Sequence, residues 1–515
     1  MRQHTVAYVP KFELFATNRF RRHFTYSITN AASFFVLLGF ATLVRLQVMN
    51  NPFYGYDEQF YLLMGDRMIH GALPYVDVFD RKPIGLFLIY AAVRLIGSDG
   101  FFVYKLVATL FAAATSWLIF RSARKWVGAP SALMAACFYL IGLDFMEGAG
   151  GQAEVFYNLP MLAAGLLIGQ GATRDDAVLT IGCKAMLLVG IALQIKYTAI
   201  FEGLFLGGYL IWTAWRQGHG IPEVMGYAVM WIGCALTPTL VAASYYTCIG
   251  HLSEFVFANF ESLAGRNRID FWPQAHGLLE ITVMLSPFLA CAIAGLRRSL
   301  AEFRFFALWL AASIIGFLVF GCYGTPHYGL PILVPASLAS ALFFGRSRIA
   351  RCWAVPVLLL GICASQVVLA RVSYLHGGRI EANALRNTLS AREGSVYVYS
   401  GPPGIYMLAG ANPLTKWPFP NHLNSHTEDS IRAIGTNPEE EVGRVIHSHP
   451  TFIIGTAPNS SDENIRTNNI VRNELVRSYS PIESIKFGNG QSYIVYGLKH
   501  SSTQLANIEL ARSVK

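Results

Sequence analysis

The chain has 515 residues, of which 53% are hydrophobic and only 14% are charged. Soluble domains are less apolar, and repeated apolar runs long enough to cross a bilayer identify a multi-spanning α-helical membrane protein. The net charge of +9 therefore does not indicate binding to nucleic acid, because basic loops that orient helices in a membrane produce the same excess.

The apolar runs predict about eleven membrane-spanning helices. The first, residues 26–48, is too long for the core of a signal peptide and is expected to be retained, with Arg45 extending its charged end toward the interface. The others are expected near residues 101–120, 130–145, 155–171, 177–195, 198–215, 224–247, 277–296, 305–322, 328–344 and 352–370.

Basic residues collect in alternate loops, which predicts the topology. Those loops contain Arg121, Arg124, Lys125, Arg216 and Arg297. The positive-inside rule places them and the N-terminus in the cytoplasm. The first loop, about residues 49–100, and the C-terminal residues 371–515 would then lie outside the cytoplasmic (inner) membrane, in the periplasm or an equivalent extracytoplasmic space.

The first external loop opens with two adjacent acids, Asp57 and Glu58. The apolar residues after them recur at helical spacing, which predicts an amphipathic helix on the membrane surface with carboxylates at its start. Acids at that position also stabilise the helix dipole, so on its own the pair is equally consistent with a structural role.

A charged turn in the same loop, FDRKP, contributes Arg81 and Lys82. The apolar run that follows, residues 84–96, is too short to cross a bilayer and is expected to lie in the interface. Carboxylates and cations would thus be held together at the height of the lipid head groups. That arrangement suits the handling of a lipid-linked anion.

At these residues the chain resembles a known superfamily. Tyr56-Asp57-Glu58 is similar to the acidic motif of the GT-C membrane glycosyltransferases, in particular the protein O-mannosyltransferase and aminoarabinose (lipid A) transferase family. Arg81-Lys82-Pro83 resembles the Lys-Pro-Pro turn of that family, although Ile84 stands where the family often has a second proline. The resemblance implies a GT-C fold and transfer of a sugar from a polyprenyl-phosphate-linked donor.

Three further external turns add polar residues. Glu154 resembles the second acidic position of the superfamily; Glu147 is its rival, and a helix-start acid is the structural alternative. Lys196 lies between two apolar runs, where an ammonium can meet a lipid phosphate or simply extend to the interface. His327 and Tyr328 resemble a His-Tyr pair that faces the sugar phosphate, although a lone histidine is more often a structural hydrogen-bonding group.

The C-terminal residues 371–515 differ in composition from the membrane domain, residues 1–370, and predict a small external α/β domain. Strands are expected at 395–400 and 451–455, helices at 378–391, 439–447 and 464–477, and a hairpin at 484–496. Trp417, Phe419 and His422 are expected to form an aromatic lip that faces carbohydrate.

The predicted function is an inverting membrane glycosyltransferase. An external site has no supply of nucleotide sugar, so the expected donor is a polyprenyl-phosphate sugar and the acceptor a glycolipid, glycan or protein. Asp57 is predicted to be the general base, with Glu58 or Glu154 orienting the acceptor or a cation. The departing phosphate would be stabilised by Arg81, Lys82 and Lys196, and inversion is what the resemblance implies.

Two other functions and one cofactor stay open. A transporter or flippase of a lipid-linked saccharide would place charges near the bilayer midplane, where Glu202 is the main candidate. A lipid-linked oligosaccharide ligase or polymerase would transfer a block of sugars. The eight cysteines show no zinc-binding spacing, but Mg²⁺ or Mn²⁺ between carboxylates and phosphate is an alternative to the basic side chains. The sequence identifies neither sugar nor acceptor.

Overall fold

The computed structural model of the chain describes residues 13–171, 178–267, 270–297, 299, 303–346, 348–391, 393–458 and 462–499. Residues 1–12 and 500–515, at the outer ends of the two predicted domains, lie outside the described residues. Residue 177, the first residue of one predicted span, also lies outside them.

Helices make up the membrane part, and each apolar run predicted to span the membrane lies on one of them. They are α1 (Glu13–Met49), α2 (Tyr56–Ile69), α3 (Ile84–Ile96), α4 (Gly100–Ala123), α5 (Ala129–Phe145), α6 (Ala153–Gly171), α7 (Val178–Leu193), α8 (Ile200–Arg216), α9 (Ile221–Cys248), α10 (Leu252–Val256), α11 (Phe271–Leu296), α12 (Arg304–Phe320), α13 (Leu333–Arg346) and α14 (Arg348–His376). Short 3₁₀ turns at Tyr197–Ala199, Ser262–Gly265 and Pro326–Ile332 and a π-turn at Phe257–Glu261 connect some of them.

Among the described residues, six segments are long and apolar enough to cross a bilayer. They are Ala31–Met49, Gly100–Ala123, Ile221–Cys248, Phe271–Leu296, Pro326–Gly345 and Val355–Ser390. Other predicted spans fall on shorter helices, such as α5 with 17 residues and α7 with 16. A multi-pass helical membrane protein is thereby confirmed, while the number of eleven spans stays a prediction.

Arg45 on α1 corrects one prediction. Its side chain does not extend to the interface but is 1% exposed, with Nε 3.5 Å from an Asp144 carboxylate oxygen on α5. A guanidinium nitrogen also donates to the carbonyl of Gly148. A charge inside a helical bundle needs a partner in place of water, and here α5 supplies one.

Helices α2 and α3, which lie between α1 and α4 in the chain, pack closely against each other. Gly65 makes this possible, because a Cβ there would lie 2.5 Å from the backbone of Tyr90 on α3. Arg94 of α3 donates to Asp66 of α2 across 3.0 Å. The expected amphipathic surface helix is wrong in one respect: every residue of α2 from Glu58 to Asp66 is buried. Helix α3 packs on one side of α2, and a second layer of the protein contacts Gln59 and Phe60.

That second layer is the C-terminal unit, built on a four-stranded sheet. Its elements are α15 (Arg379–Ser390), β1 (Val396–Val398), α16 (Gly404–Ala409), α17 (Asn421–Asn424), α18 (Ile431–Ile434), α19 (Pro438–His447), β2 (Phe452–Ala457), α20 (Ile465–Ser478), β3 (Tyr479–Lys486) and β4 (Ser492–Leu498). The strand order is β1-β2-β4-β3, with β1 and β2 parallel and the other pairs antiparallel. The predicted strands, helices and final hairpin are all present, and β3 begins five residues earlier than expected.

One helix crosses the predicted boundary between the two parts. Helix α14 continues to His376, past the predicted end of the membrane domain at residue 370. Gly377, with φ of +87°, ends it in a conformation that side chains other than glycine rarely adopt. We therefore propose a division into membrane and C-terminal domains at Gly377.

The aromatic lip predicted in the C-terminal unit is instead part of its contact with the membrane part. Phe419 lies with its ring centroid 5.2 Å from those of Tyr56 and Phe60 on α2. His422 is 3% exposed and packs edge-on against Phe79. Trp417 packs against Phe79 as well and donates to the Ile434 carbonyl. These side chains thus serve mainly as a contact between the two parts of the protein.

Candidate active site

Asp57 lies in the first turn of α2, where the chain turns out of the membrane part. Gly55 precedes it with φ of +85°, and the Asp57 carboxylate accepts a hydrogen bond from the Tyr61 hydroxyl one turn later, at 3.3 Å. The side chain is half-buried. Burial alone would raise the pKa of Asp57, but nearby positive charge, chiefly that of Lys82, outweighs it and lowers the pKa below its ordinary value. The carboxylate is thus held in its charged, proton-accepting form.

Lys196 and Glu154 form a buried ion pair next to Asp57. Glu154 lies in the first turn of α6 and Lys196 follows the end of α7, so the ends of two neighbouring helices bring the charges together. The Lys196 ammonium donates to Glu154, and their side chains are 5% and 0% exposed. Burial lowers the pKa of Lys196, opposed by the Glu154 carboxylate. Lys196 also interacts electrostatically with Asp57.

His327 and Tyr328 complete this wall of the site. The Tyr328 ring faces the Lys196 ammonium at 4.1 Å from its centroid, a cation–π contact. His327 packs on Tyr328 with 4.5 Å between ring centroids, and its Nδ1 lies 3.1 Å from the Glu147 carboxylate. Its Nε2 is buried without a hydrogen-bond partner among the described residues. Glu147 and Glu154, the two candidates for the second acidic position, therefore both contact this wall.

Lys82 lies two residues before the start of α3, and its ammonium has few partners. Its ammonium is 5.7 Å from the Tyr61 ring centroid and 3.9 Å from an Asp80 oxygen, and its side chain is 25% exposed. The Tyr75 hydroxyl fixes the Lys82 backbone by donating to its carbonyl. The backbone of Lys82 is thus held in place, while its ammonium can still contact a ligand.

Glu58, also predicted to act in catalysis, does not face this cluster. It is completely buried beside two glycines: a Cβ on Gly55 would lie 2.4 Å from its carboxyl carbon, and one on Gly150 2.7 Å from a carboxyl oxygen. Gln152 donates to the other oxygen at 3.3 Å. Burial raises the pKa of Glu58 well above its ordinary value. These observations favour a neutral side chain that anchors the loop before α6.

Arg81 differs from the prediction as well. Its guanidinium donates two hydrogen bonds to Glu428 of the C-terminal unit, at 3.1 and 2.6 Å, and a third to the Ala433 carbonyl. A fourth goes to Ser262. With these partners the guanidinium has little left to offer a donor phosphate, and its position ties the turn before α3 to the C-terminal unit.

Arg266 is a cation that the sequence analysis did not select. It follows the 3₁₀ turn after α10, and its Nε lies 2.8 Å from Glu428. Arg266, Lys196 and Lys82 each interact electrostatically with the Cys322 thiol. Three cations from distant parts of the chain therefore lie near one another. The sequence contains no local signal for Arg266, because its partners are remote in the chain.

The site offers little for a divalent ion. Among the described residues, no group of three or more His, Cys, Asp or Glu side chains is placed to hold a metal. Glu154 is already neutralised by Lys196, and Asp57 faces Lys82 and Lys196. This donor set does not fit Mg²⁺ or Mn²⁺, which prefer several free oxygen ligands.

Comparison with solved structures identifies the fold. ArnT from Cupriavidus metallidurans in the apo state matches with a TM-score of 0.54 and 15% identity, over 92% of this chain and 98% of that one. The same protein bound to undecaprenyl phosphate matches with a TM-score of 0.55 and 13% identity over the same shares. ArnT is a GT-C glycosyltransferase. This chain has the GT-C fold.

The predicted resemblance to the GT-C superfamily is therefore confirmed. Residues 80–241 of this chain match the family model of dolichyl-phosphate-mannose-protein mannosyltransferases, a segment that contains Lys82, Glu154 and Lys196. Arabinofuranosyltransferase AftD from mycobacteria matches with a TM-score of 0.45 and 14% identity over 92% of this chain and 40% of that one. No curated protein matches the sequence.

Proposed function

We propose that this protein is a glycosyltransferase that moves a sugar from a polyprenyl-phosphate-linked donor to an acceptor hydroxyl outside the cytoplasm. The observation that carries the proposal is the half-buried Asp57 carboxylate, held charged beside Lys82 and Lys196. A structure of ArnT, which shares the fold, was solved with undecaprenyl phosphate, and the matching family model is named for a dolichyl-phosphate donor. Both names support a lipid phosphate as the donor's carrier.

The proposed reaction is a single displacement. The acceptor oxygen attacks the anomeric carbon, forms the new glycosidic bond and gives its proton to Asp57, while the bond between that carbon and the phosphate oxygen breaks. The electron pair leaves with the polyprenyl phosphate. One displacement inverts the anomeric centre.

The basic side chains act on the leaving group. Lys82 is partly exposed, and its ammonium makes only a long contact to Asp80 and a cation–π contact with Tyr61, so it can bind the phosphate directly. Lys196 is more restricted, because it is buried and shared with Glu154; its charge stabilises the phosphate dianion at short range in a site of low dielectric. His327, with a buried and unpartnered Nε2, can orient the donor by one hydrogen bond.

The external location is part of the proposal. Asp57, Glu154, Lys196 and His327 follow or begin helices at the same end of the bundle, and the C-terminal unit covers that end. The positive-inside pattern of the opposite loops places this end outside the cytoplasm. The N-terminus would then be cytoplasmic, in the inner membrane of the cell.

The test uses the purified protein in lipid nanodiscs with labelled undecaprenyl-phosphate sugars and a membrane extract as acceptor. Asp57→Asn keeps the shape of the side chain and removes the base, and we expect transfer to fall about a thousandfold while donor binding persists. Glu58→Gln on the same turn is the matched control, since its neutral form is already favoured. It should reduce transfer by less than about twofold.

Three outcomes would contradict the proposal. Equal transfer by the native protein and Asp57→Asn would reassign the base, with Glu154 the next candidate. A larger loss in Glu58→Gln than in Asp57→Asn would reverse the two roles. Movement of donor across liposome membranes without any transfer would show a lipid-saccharide transporter instead.

A further inference from the structure

The C-terminal unit rests on the external connection between α9 and α11, and α18 is the helix that touches it. A Cβ on Gly265 of the connection would lie 2.3 Å from the backbone of Arg432 on α18. At the other end of α18, a Cβ on Gly435 would lie 3.0 Å from the Phe257 ring. Both ends of this short helix therefore pack directly on residues 257–265.

The connection stays close to the ends of the membrane helices. It joins Ile221–Cys248 and Phe271–Leu296, two segments that are long and apolar enough to cross a bilayer. The Tyr197 hydroxyl, between α7 and α8, donates to Asn259 at 2.9 Å, and the Tyr197 ring packs on Phe260 with 5.5 Å between centroids. Because Tyr197 lies at the end of the bundle that holds the candidate site, the connection lies at the same level, in the membrane surface.

Large apolar side chains are exposed along this connection. Phe260 and Leu263 are 52% and 54% exposed, and residues three apart share a face of a helical turn. Tyr245 and Ile249 at the end of α9 and Trp272 in the first turn of α11 are exposed as well. Aromatic side chains of membrane proteins collect at the two surfaces of the bilayer. The rim of the membrane part is thus suited to lipid at the place where α18 packs on it.

Ile431 adds an apolar side chain from the C-terminal unit to this rim. It is the first residue of α18 and is 62% exposed, whereas Ala433 and Ile434 of the same helix are buried. Arg432 beside it is also exposed. Segments that lie in a membrane surface combine these two features: the apolar side chain enters the acyl region, and the long basic side chain extends to the lipid phosphates.

The surroundings of Ile431 favour a bilayer over a protein partner. A stable protein–protein complex buries about 800 Å² on each side, which the two exposed residues of α18 do not supply. The apolar surface instead continues through Leu263 to Tyr245 and Trp272, at the ends of membrane-spanning helices. One lipid leaflet covers all of these side chains together.

We propose that α18 is a membrane contact of the C-terminal unit, in which Ile431 inserts among the first acyl-chain carbons of the adjacent leaflet and Arg432 binds a lipid phosphate. The contact lies three residues after Glu428, which pairs with Arg81 and Arg266. Lipid and ion pairs thus hold the same part of the C-terminal unit against the membrane part. The inference goes beyond the proposed function and does not depend on the sugar or the acceptor.

The test is photolabelling of the full-length protein in nanodiscs that contain a phosphatidylcholine with a diazirine near the top of one acyl chain. After illumination and digestion, mass spectrometry locates the label. We expect label on Ile431 or Arg432 as well as on Leu263. Val476 is the internal control: it is 76% exposed in the same unit but lies by the start of β3, whose other end leads to Phe487 against the end of α14. It should stay unlabelled.

Ile431→Asp places a charge where the acyl chains would lie, and it should reduce the labelling of Arg432 severalfold while Leu263 stays labelled. Val476→Asp is the matched control and should leave the labelling pattern unchanged. Absence of label from both Ile431 and Arg432 in the native protein overturns the membrane contact, and so does labelling of Val476 to the same extent. Cross-links from Ile431 to a second copy of the chain would show a protein partner instead. Sugar transfer is not part of the measurement, so the proposed function is tested separately.

Discussion

Arg81 and Lys82 are adjacent in the chain but serve two different regions. Arg81 joins the clasp, the contact in which Glu428 of the C-terminal unit pairs with both Arg81 and Arg266. Lys82 faces the candidate active site, where its ammonium lies 3.9 Å from an Asp80 oxygen and 5.7 Å from the Tyr61 ring centroid. The difference teaches that a basic motif does not tell which of its charges binds a ligand. Partners elsewhere in the fold decide that.

The two regions also differ in how their charges are satisfied. In the clasp, a planar guanidinium meets a carboxylate through two hydrogen bonds, the geometry that suits arginine. In the site, lysine ammonium groups meet aromatic rings and one buried acid. Fixed pairs hold two parts of the protein together. The loosely paired Lys82 remains available to a phosphate.

The largest effect is expected from Lys196→Met. It would leave the Glu154 carboxylate buried without its partner, at a cost of about 3–5 kcal/mol in stability, and remove a cation from the phosphate site. Transfer should be lost and thermal unfolding in detergent should occur at a lower temperature. The double variant Lys196→Met/Glu154→Gln is the control: it should regain stability but not transfer. A single variant as stable as the native protein would show that the pair is not buried as described.

A smaller effect should separate Arg81 from Lys82 directly. Arg81→Met should lower stability by about 2 kcal/mol, because Glu428 loses its bidentate partner, and speed proteolysis of the C-terminal unit without changing donor affinity. Lys82→Met should weaken donor binding about tenfold and leave stability unchanged. Each variant is the control for the other. Equal loss of donor affinity in both would return Arg81 to the phosphate site.

The smallest effect concerns pH. Transfer requires Asp57 without its proton, and neighbouring positive charge lowers the pKa of that carboxyl, so the native rate should fall only at pH values below the ordinary range of an aspartate. Lys82→Met removes the positive charge that lowers this pKa most, so the pKa of Asp57 should rise. The acidic limb of the profile, measured at saturating donor, should therefore move to higher pH. An unmoved limb would exclude Asp57 as the titrating base.

Much of the fold could be predicted from local pattern. Apolar runs located the helices, and alternation with turn residues located the sheet of the C-terminal unit, because burial against lipid or a core imposes these periods on the sequence. The predictions that failed concern contacts between distant segments. Arg45 meets Asp144 across two helices, and the aromatic residues around Phe419 meet α2.

The candidate site likewise contains residues that the sequence indicated and contacts that only the tertiary structure revealed. The sequence by itself indicated Asp57, Glu154, Lys82, Lys196 and the His327-Tyr328 pair, since polar residues at the ends of apolar runs must meet at one end of a helical bundle. Only the tertiary structure separated Glu58 from Asp57, paired Arg81 with Glu428 and brought Arg266 to the same carboxylate. The physical reason is that helical periodicity reports which face is apolar, whereas the partner of a buried charge is set by packing between helices that are remote in sequence.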